Sequence, residues 1–374
     1  MRVPTADSRI PVTLLTGFLG SGKTTVLNHL LQQTEMRNAA VLINEFGEVG
    51  LDHELLETST KNLVLLQNGC LHRNIHAKLA QALRGLRERR GRSEAVGFDR
   101  IVIETTGLAD PTPILHILMS DRKLAENFRL DGVITTVDAV TGSATLDRQM
   151  ESIKQAAVAD RLLLTKRDLG APESAKVLEK RLRALNPSAP ILYAENGAVD
   201  PCRLLDIGLY RPDSKSSDVQ NWLNAEADAS IQHHHGHGHD QGADQHDINR
   251  HDDHIRFVCL MTDNPIQAKA FDLWPEILTR FKDPDVLRLK AIVHVAGLPA
   301  PIALHGVQDL FHPPVPLKSW PRADHRTHIS LIVRDLNDEF LQSGFTMLIE
   351  AAARNKGLHG KHRAWTKTVV EGVA

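Results

Sequence analysis

Residues 12–15, Val-Thr-Leu-Leu, run almost directly into Gly17-Phe18-Leu19-Gly20-Ser21-Gly22-Lys23-Thr24-Thr25, and few patterns constrain a fold as tightly. The pattern is G-x-x-x-x-G-K-[ST], which carries meaning only where a buried strand ends and a helix begins. Both conditions are met, because the apolar run precedes it and Val26, Leu27, Leu30 and Leu31 follow at helical spacing. Glycines let backbone N–H groups turn inward around phosphate oxygens, and the helix starting near Lys23 adds the positive end of its dipole. Lys23 supplies a neutralising charge and Thr24 a hydroxyl for Mg²⁺. The expected phosphate-binding residues are Gly17, Gly20, Ser21, Gly22, Lys23, Thr24 and Thr25.

Short β-branched runs recur at residues 40–43, 63–66, 101–103, 133–137, 162–164 and 191–193, with helical patterns between most of them. Alternation of this kind implies a parallel sheet covered by helices on both faces. The predicted class is α/β, a P-loop NTPase sheet over residues 1–211. Residues 212–254, rich in Asp, Ser, Gln, Gly and His, read as a flexible linker. Strand-like runs at 255–261, 287–295, 302–307 and 329–333, with helical patterns at 265–281 and 338–353, predict a small α+β domain over 255–350. A short basic tail, 351–374, follows.

The chain's 374 residues suffice for two cores, and a formal charge of -2 provides no general attraction to nucleic acid or anionic lipid. Three cysteines form no disulfide framework and suit a reducing compartment, so the cytoplasm is expected. No run is long and apolar enough to span a bilayer. Neither a nucleic acid nor a membrane is expected as a partner.

Two further motifs extend the phosphate site. Arg100-Ile-Val-Ile-Glu104-Thr-Thr-Gly107 places a carboxylate at the end of a buried strand, where ligands of open α/β sheets gather. Glu104 is expected to face Mg²⁺ or its water; the alternative, a simple strand-end cap, is disfavoured because Gly107 permits close backbone approach nearby. Lys23, Thr24 and Glu104 are the candidate catalytic residues. The strand at 162–164 ends in Thr165-Lys166-Arg167-Asp168, a variant of N-K-x-D in which the aspartate accepts from guanine N1–H and N2. Adenine lacks those donors, so Asp168 selects GTP over ATP, with Lys166 packed along the ring.

Gly17 to Thr25, Asn44-Glu45-Phe46-Gly47-Glu48, Asn68-Gly69-Cys70, Glu104-Thr-Thr-Gly-Leu-Ala-Asp-Pro111 and Lys166 to Asp168 together resemble the CobW-type family of metal-handling GTPases. The resemblance covers residues 11–348, including the His-rich connector and the segments around Gly306-Val307 and Trp320. It implies slow GTP hydrolysis coupled to carrying a transition metal, zinc first and cobalt next, to a client metalloprotein. Such proteins carry C-x-C-C after the third strand, whereas this chain reads Cys70-Leu71-His72-Arg73. One thiol and one imidazole make a more borderline pair, which carboxylates such as Glu45 and Glu48 would have to complete. Cys70 reads equally as a small buried residue, and His72 as a surface side chain.

Of 20 histidines, eight fall between His233 and His254. His233, His234, His235, His237 and His239, interleaved downstream with aspartates, can hold zinc, nickel or cobalt in interchanging sets, which suits acquisition or storage. The expected function is thus a GTP-hydrolysing metallochaperone of open oligomeric state. A metal buffer working through the histidine run and an ATP-dependent P-loop kinase are the alternatives.

Overall fold

The computed structural model describes residues 8–46, 63–68, 75–90, 97–207, 255–268, 271, 285–308, 310–321, 323–337, 339 and 341–346; of residues 44–46, 63–68, 75, 76 and 89 it describes the backbone alone. The chain divides into two units, Met1–Leu209 and Tyr210–Ala374.

In the first unit the strands are β1 (Ile10–Gly17), β2 (Ala39–Phe46), β3 (Leu63–Asn68), β4 (Arg100–Thr105), β5 (Phe128–Asp138), β6 (Arg161–Thr165) and β7 (Ile191–Ala194). The helices are α1 (Lys23–Leu31), α2 (Ile75–Arg90), α3 (Thr112–Ser120), α4 (Arg122–Ala125), α5 (Gly142–Arg148), α6 (Met150–Ala157), α7 (Pro172–Leu185) and α8 (Pro201–Leu204). The strands form one sheet in the order β3-β2-β4-β1-β5-β6-β7, and every pairing is parallel. Strand β1 is flanked by β4 and β5, so the chain's progress across the sheet reverses there. Crevices outside the carboxyl ends of strands at such a reversal are where open α/β sheets bind ligands.

Why these segments form this sheet follows from burial on both faces. All eleven residues of β5 are buried, as are β1 apart from Pro11 and β4 apart from Arg100. A surface helix can hide only one stripe, and α1 does so with Val26, Leu27, Leu30 and Leu31 against Leu15, Val41 and Val102. At the amino-terminal edge, Arg129 and Asp131 pair at 3.0 Å with side chains 1% and 0% exposed. Asp131 also accepts from Thr13 Oγ1 and from the backbone N–H of Asp206, which anchors the end of this unit to the base of β5.

The second unit holds β8 (Ile255–Thr262), β9 (Val286–Val293), β10 (Ile302–Val307), β11 (Leu310–Phe311), β12 (Val315–Pro316) and β13 (Thr327–Arg334). They pair antiparallel in the order β11-β10-β9-β13-β8, with β12 also on β10. Leu289, Ala291, Val293, Leu304 and Leu331 face one core, onto which Leu341 and Phe345 of the helical residues 341–346 pack. The opposite face differs from what alternation suggests, since Arg288 and Lys290 are each only 2% exposed, with His305 and Ser330 in register with Lys290 and also buried. His294 is half-buried, its ring edge-on to Trp320 at 5.1 Å. Most of the helix expected at 265–281, the linker and the tail lie outside the described residues.

Removing Asp131 would leave the buried Arg129 guanidinium to its longer contact with the half-exposed carboxylate of Asp206, 3.5 Å away. Asp131→Ala is therefore expected to destabilise the first unit by roughly 3–5 kcal/mol, read by urea denaturation; a loss below about 1 kcal/mol, the range of exposed pairs, would contradict this account of β5.

Candidate nucleotide-binding site

Strand β1 leaves the sheet at Gly17, whose φ is 142°. A Cβ there would lie 2.2 Å from Thr136 Oγ1 and 2.5 Å from the Thr136 carbonyl oxygen, so only glycine lets the backbone pass. Gly22 caps α1 in the left-handed region, φ 89°. No side chain caps that helix and no acidic residue occupies its first turn, so its amides are offered to an anion. The loop is braced from the neighbouring strands: Ser21 Oγ shares a 2.7 Å hydrogen bond with Thr136 Oγ1, and Thr105 Oγ1 donates to Thr16 Oγ1 at 2.8 Å.

Lys23 is buried and its ammonium donates to the carbonyls of Gly17 and Phe18 at 2.9 and 3.1 Å, folding over the loop. Thr24 Oγ1 donates to Glu104 Oε1 at 2.8 Å. The pairings Leu15↔Glu104 and Ile43↔Glu104 place that carboxylate near the carboxyl ends of β1, β2 and β4, where it is 4% exposed. A hydroxyl and a carboxylate side by side next to a phosphate loop form the hard oxygen donor set that Mg²⁺ takes, so the residues present fit that ion.

The loop after β4 closes against the phosphate loop. A Cβ at Gly107 would lie 2.5 Å from the backbone nitrogen of Leu19, which accounts for the close approach. Helix α6 holds this loop: Gln155 Nε2 donates to the carbonyls of Gly107 and Ala109, and Lys154 pairs with Asp110 at 3.0 Å. Burial opposes charge on Asp110, but hydrogen bonds from Thr112 and the Lys154 ammonium outweigh it and hold the carboxyl below its ordinary value.

On the other side of β1, strand β6 delivers Thr165. Its hydroxyl donates to the Ser21 carbonyl at 2.8 Å, with a 3.3 Å approach to the Val137 carbonyl, so the turn that follows is fastened to the phosphate loop. In the sequence Thr165 only stands where N-K-x-D has its asparagine; in the structure it is a fastening residue. Lys166 adopts φ 56°, and its ammonium pairs with Asp138 at 2.9 Å. Asp138 also accepts from the amides of Val140 and Thr141. Burial again disfavours its charge, but Lys166 and those amides prevail and keep its carboxyl below the usual range. Arg167 lies over the Tyr193 ring at 4.1 Å, and Asp168 is exposed on a single 3-10 turn, Arg167–Leu169.

The structure thus brings Gly17, Gly20, Ser21, Gly22, Lys23, Thr24, Glu104 and Gly107 together at one edge, with Lys166 and Asp168 on the neighbouring turn. Thr25 is exposed, and a Cβ at Gly197 would lie 2.6 Å from its carbonyl oxygen. Asn196 and Gly197 both have positive φ, a turn that the dipeptide Asn-Gly signals and that went unread. Asp138, Thr136 and Gln155 were also missed, since isolated polar residues in apolar strands and helices carry no motif. Of the expected metal ligands, Glu45 is described by backbone alone, and Glu48, Cys70, His72 and His233, His234, His235, His237 and His239 lie outside the described residues. Among the described residues no group of three or more His, Cys, Asp or Glu could hold a metal ion.

Residues 11–193 match the CobW/HypB/UreG nucleotide-binding domain and residues 255–349 the cobalamin synthesis protein CobW C-terminal domain. The zinc chaperone YjiA of Escherichia coli K12 is 31% identical over 325 residues, which span 86% of this chain and 93% of that protein. The zinc-regulated GTPase metalloprotein activator 1 of Schizosaccharomyces pombe is 33% identical over 216 residues, 56% of this chain and 51% of the relative. The crystal structure of Zn(II)-bound YjiA GTPase from Escherichia coli superposes with a TM-score of 0.61 at 27% identity, covering 91% of this chain and 99% of that one. The chain belongs to the CobW family of P-loop nucleotide-binding proteins.

Two outcomes follow for the site. Glu104→Gln keeps an acceptor for Thr24 but removes the charge, and is expected to lower triphosphate turnover about 10²-fold or more with diphosphate affinity retained; equal turnover in a phosphate-release assay would remove Glu104 from the site. Asp110 and Asp138, with lowered folded values, contribute stability that is complete above the ordinary carboxylate value of about 4 and lost only as pH falls through the lowered values. Diphosphate affinity is accordingly expected to owe no change between pH 8 and 5 to these two carboxylates, whereas a loss near pH 6 that Asp138→Asn or Asp110→Asn abolished would contradict the pairing.

Proposed function

We propose that this chain binds GTP with Mg²⁺, hydrolyses it slowly, and uses the cycle to hand zinc to a client metalloprotein. The observation that carries the reading is the fastening of the Lys166–Asp168 turn to the phosphate loop through Thr165 and Ser21, beside Thr24 and Glu104. That arrangement suits a nucleotide whose phosphates lie on the loop and whose base meets Asp168. Lys23, the amides of α1 and Mg²⁺ held through Thr24 and Glu104 would neutralise phosphoryl charge, which is the main task in phosphoryl transfer. Mg²⁺ supplies the Lewis acid.

Support for a metal cargo comes from relatives named as zinc chaperones and from topology. Strands β2 and β3 end side by side, with Phe46 opposite Asn68, at the same edge as Thr105 and the phosphate loop. Glu45 and Glu48 flank the end of β2, and Cys70 and His72 come two and four residues after β3. Candidate zinc ligands are thus tethered to adjacent strand ends, where a segment ordered by the γ-phosphate would move them together. The histidine run would serve acquisition. No helix among the described residues is long and apolar enough to cross a membrane. The sparse, odd set of cysteines suits a reducing compartment, and on that ground we place the cycle in the cytoplasm.

Coupling between sites is reciprocal in binding free energy and is commonly ~1–3 kcal/mol, roughly 5–150-fold in affinity. Zinc affinity measured by competition with a chromophoric chelator is expected to differ by such a factor between the GDP-bound and the GTP-analogue-bound protein. In Cys70→Ala the difference should vanish while guanine nucleotide still binds. A zinc affinity indifferent to nucleotide, or a response unaltered by Cys70→Ala, would overturn the coupling.

A further inference from the structure

We propose that Asp138, which belongs to no recognised nucleotide-binding motif of the sequence, is a positioning residue that sets guanine recognition by fixing Lys166. The inference rests on the base site proposed above and deepens it.

Asp138 is the last residue of β5, the strand beside β1, and pairs in register with Thr165 of β6. Its two carboxylate oxygens do different work. Oδ1 accepts from the amides of Val140 and Thr141 at 2.7 and 3.2 Å, which fixes the chain between β5 and α5. Oδ2 is left to receive the Lys166 ammonium at 2.9 Å, and the carboxylate is only 11% exposed against 37% for the lysine. The anion is therefore the rigid partner and the lysine the guided one. Once the ammonium is held at the end of β5, the four methylenes of Lys166 have a defined course across the mouth, and that apolar stem is the surface a purine ring would lie on.

The backbone points to the same role. Lys166 sits at φ 56° and ψ 29°, a left-handed conformation uncommon for a residue with a side chain. Such a conformation persists where its surroundings over-determine it. Here the restraints are the Ala139 N–H donating to the Thr165 carbonyl at 2.9 Å, the Leu169 N–H donating to the Lys166 carbonyl at 3.1 Å, Arg167 over Tyr193, and the Asp138 pair. Only the last holds the Lys166 side chain itself. With that turn fixed, Asp168 follows two residues later at a set height above the sheet. The Asp138 carboxylate accepts from Val140, Thr141 and Lys166, so its effect should fall on base recognition rather than on phosphoryl transfer.

The test uses the full-length protein with GDP, GTP and ADP. Asp138→Asn keeps an oxygen to cap Val140 and Thr141 but loses the charge on Lys166. It is expected to weaken GDP about ten- to hundredfold and to raise KM for GTP in proportion, while the rate at saturating GTP holds and the melting temperature falls only by the stability that the lowered Asp138 carboxyl supplied. Lys166→Met, which keeps an apolar stem without the ammonium, should produce a similar loss, and the double variant should be little worse than either single one. GDP affinity and KM equal to the parent's in Asp138→Asn, or fully additive losses in the double variant, would overturn the proposal. Should Asp138→Asn fold poorly, GDP affinity equal to the parent's in Lys166→Met would by itself overturn the proposal. Asp168→Asn separates the two readings: if it leaves the preference for GDP over ADP intact, the base site itself is wrong. If it erases that preference while Asp138→Asn binds GDP like the parent, only the positioning role fails.

Discussion

Everything at this site depends on the backbone passing between Thr136 and the start of α1 at Gly17, where a single methyl group would collide with a neighbouring strand. Because β1 lies between β4 and β5, the loop at its carboxyl end is braced from both sides. Ser21 bonds Thr136 of β5, Thr16 accepts from Thr105 of β4, and Thr24 reaches Glu104. The phosphate loop is thus held in place by its own strands, which lowers the ordering cost of binding.

The same bracing passes to the base side through one hydroxyl. Thr165 donates to a carbonyl of the phosphate loop, so the turn carrying Asp168 cannot shift without pulling on Ser21. On the opposite flank, Gly107 packs against Leu19 and its loop is clamped by Gln155 and Lys154 of α6. Changes at the phosphates would accordingly be felt at the base turn through Ser21 and Thr165, and on the β4 side through the contact of Gly107 with Leu19.

Periodicity and one motif made much of this legible. Continuous apolar runs located the parallel strands because those strands are buried on both faces, and glycine spacing located the loop because its backbone needs conformations that side chains forbid. Thr165 and Asp138 were harder, since their roles come from strand neighbours far away in sequence, and a threonine or an aspartate at a strand end looks alike whether it caps, fastens or guides. The second unit illustrates the opposite failure. Arg288 and Lys290 alternate with core residues along β9, a pattern that ordinarily marks a solvated face, yet both are buried on the second face of the sheet. The short strands β11 and β12 span two residues each, too few for periodicity to register.

On the proposed function, one pocket holds phosphates at the loop ending in Lys23 and selects its purine at Asp168. Calorimetric titration of the purified chain with GDP and with ADP, each with magnesium, measures this directly. A single GDP site with ADP far weaker is the predicted result. No bound guanine nucleotide, or equal affinity for the two, would contradict it.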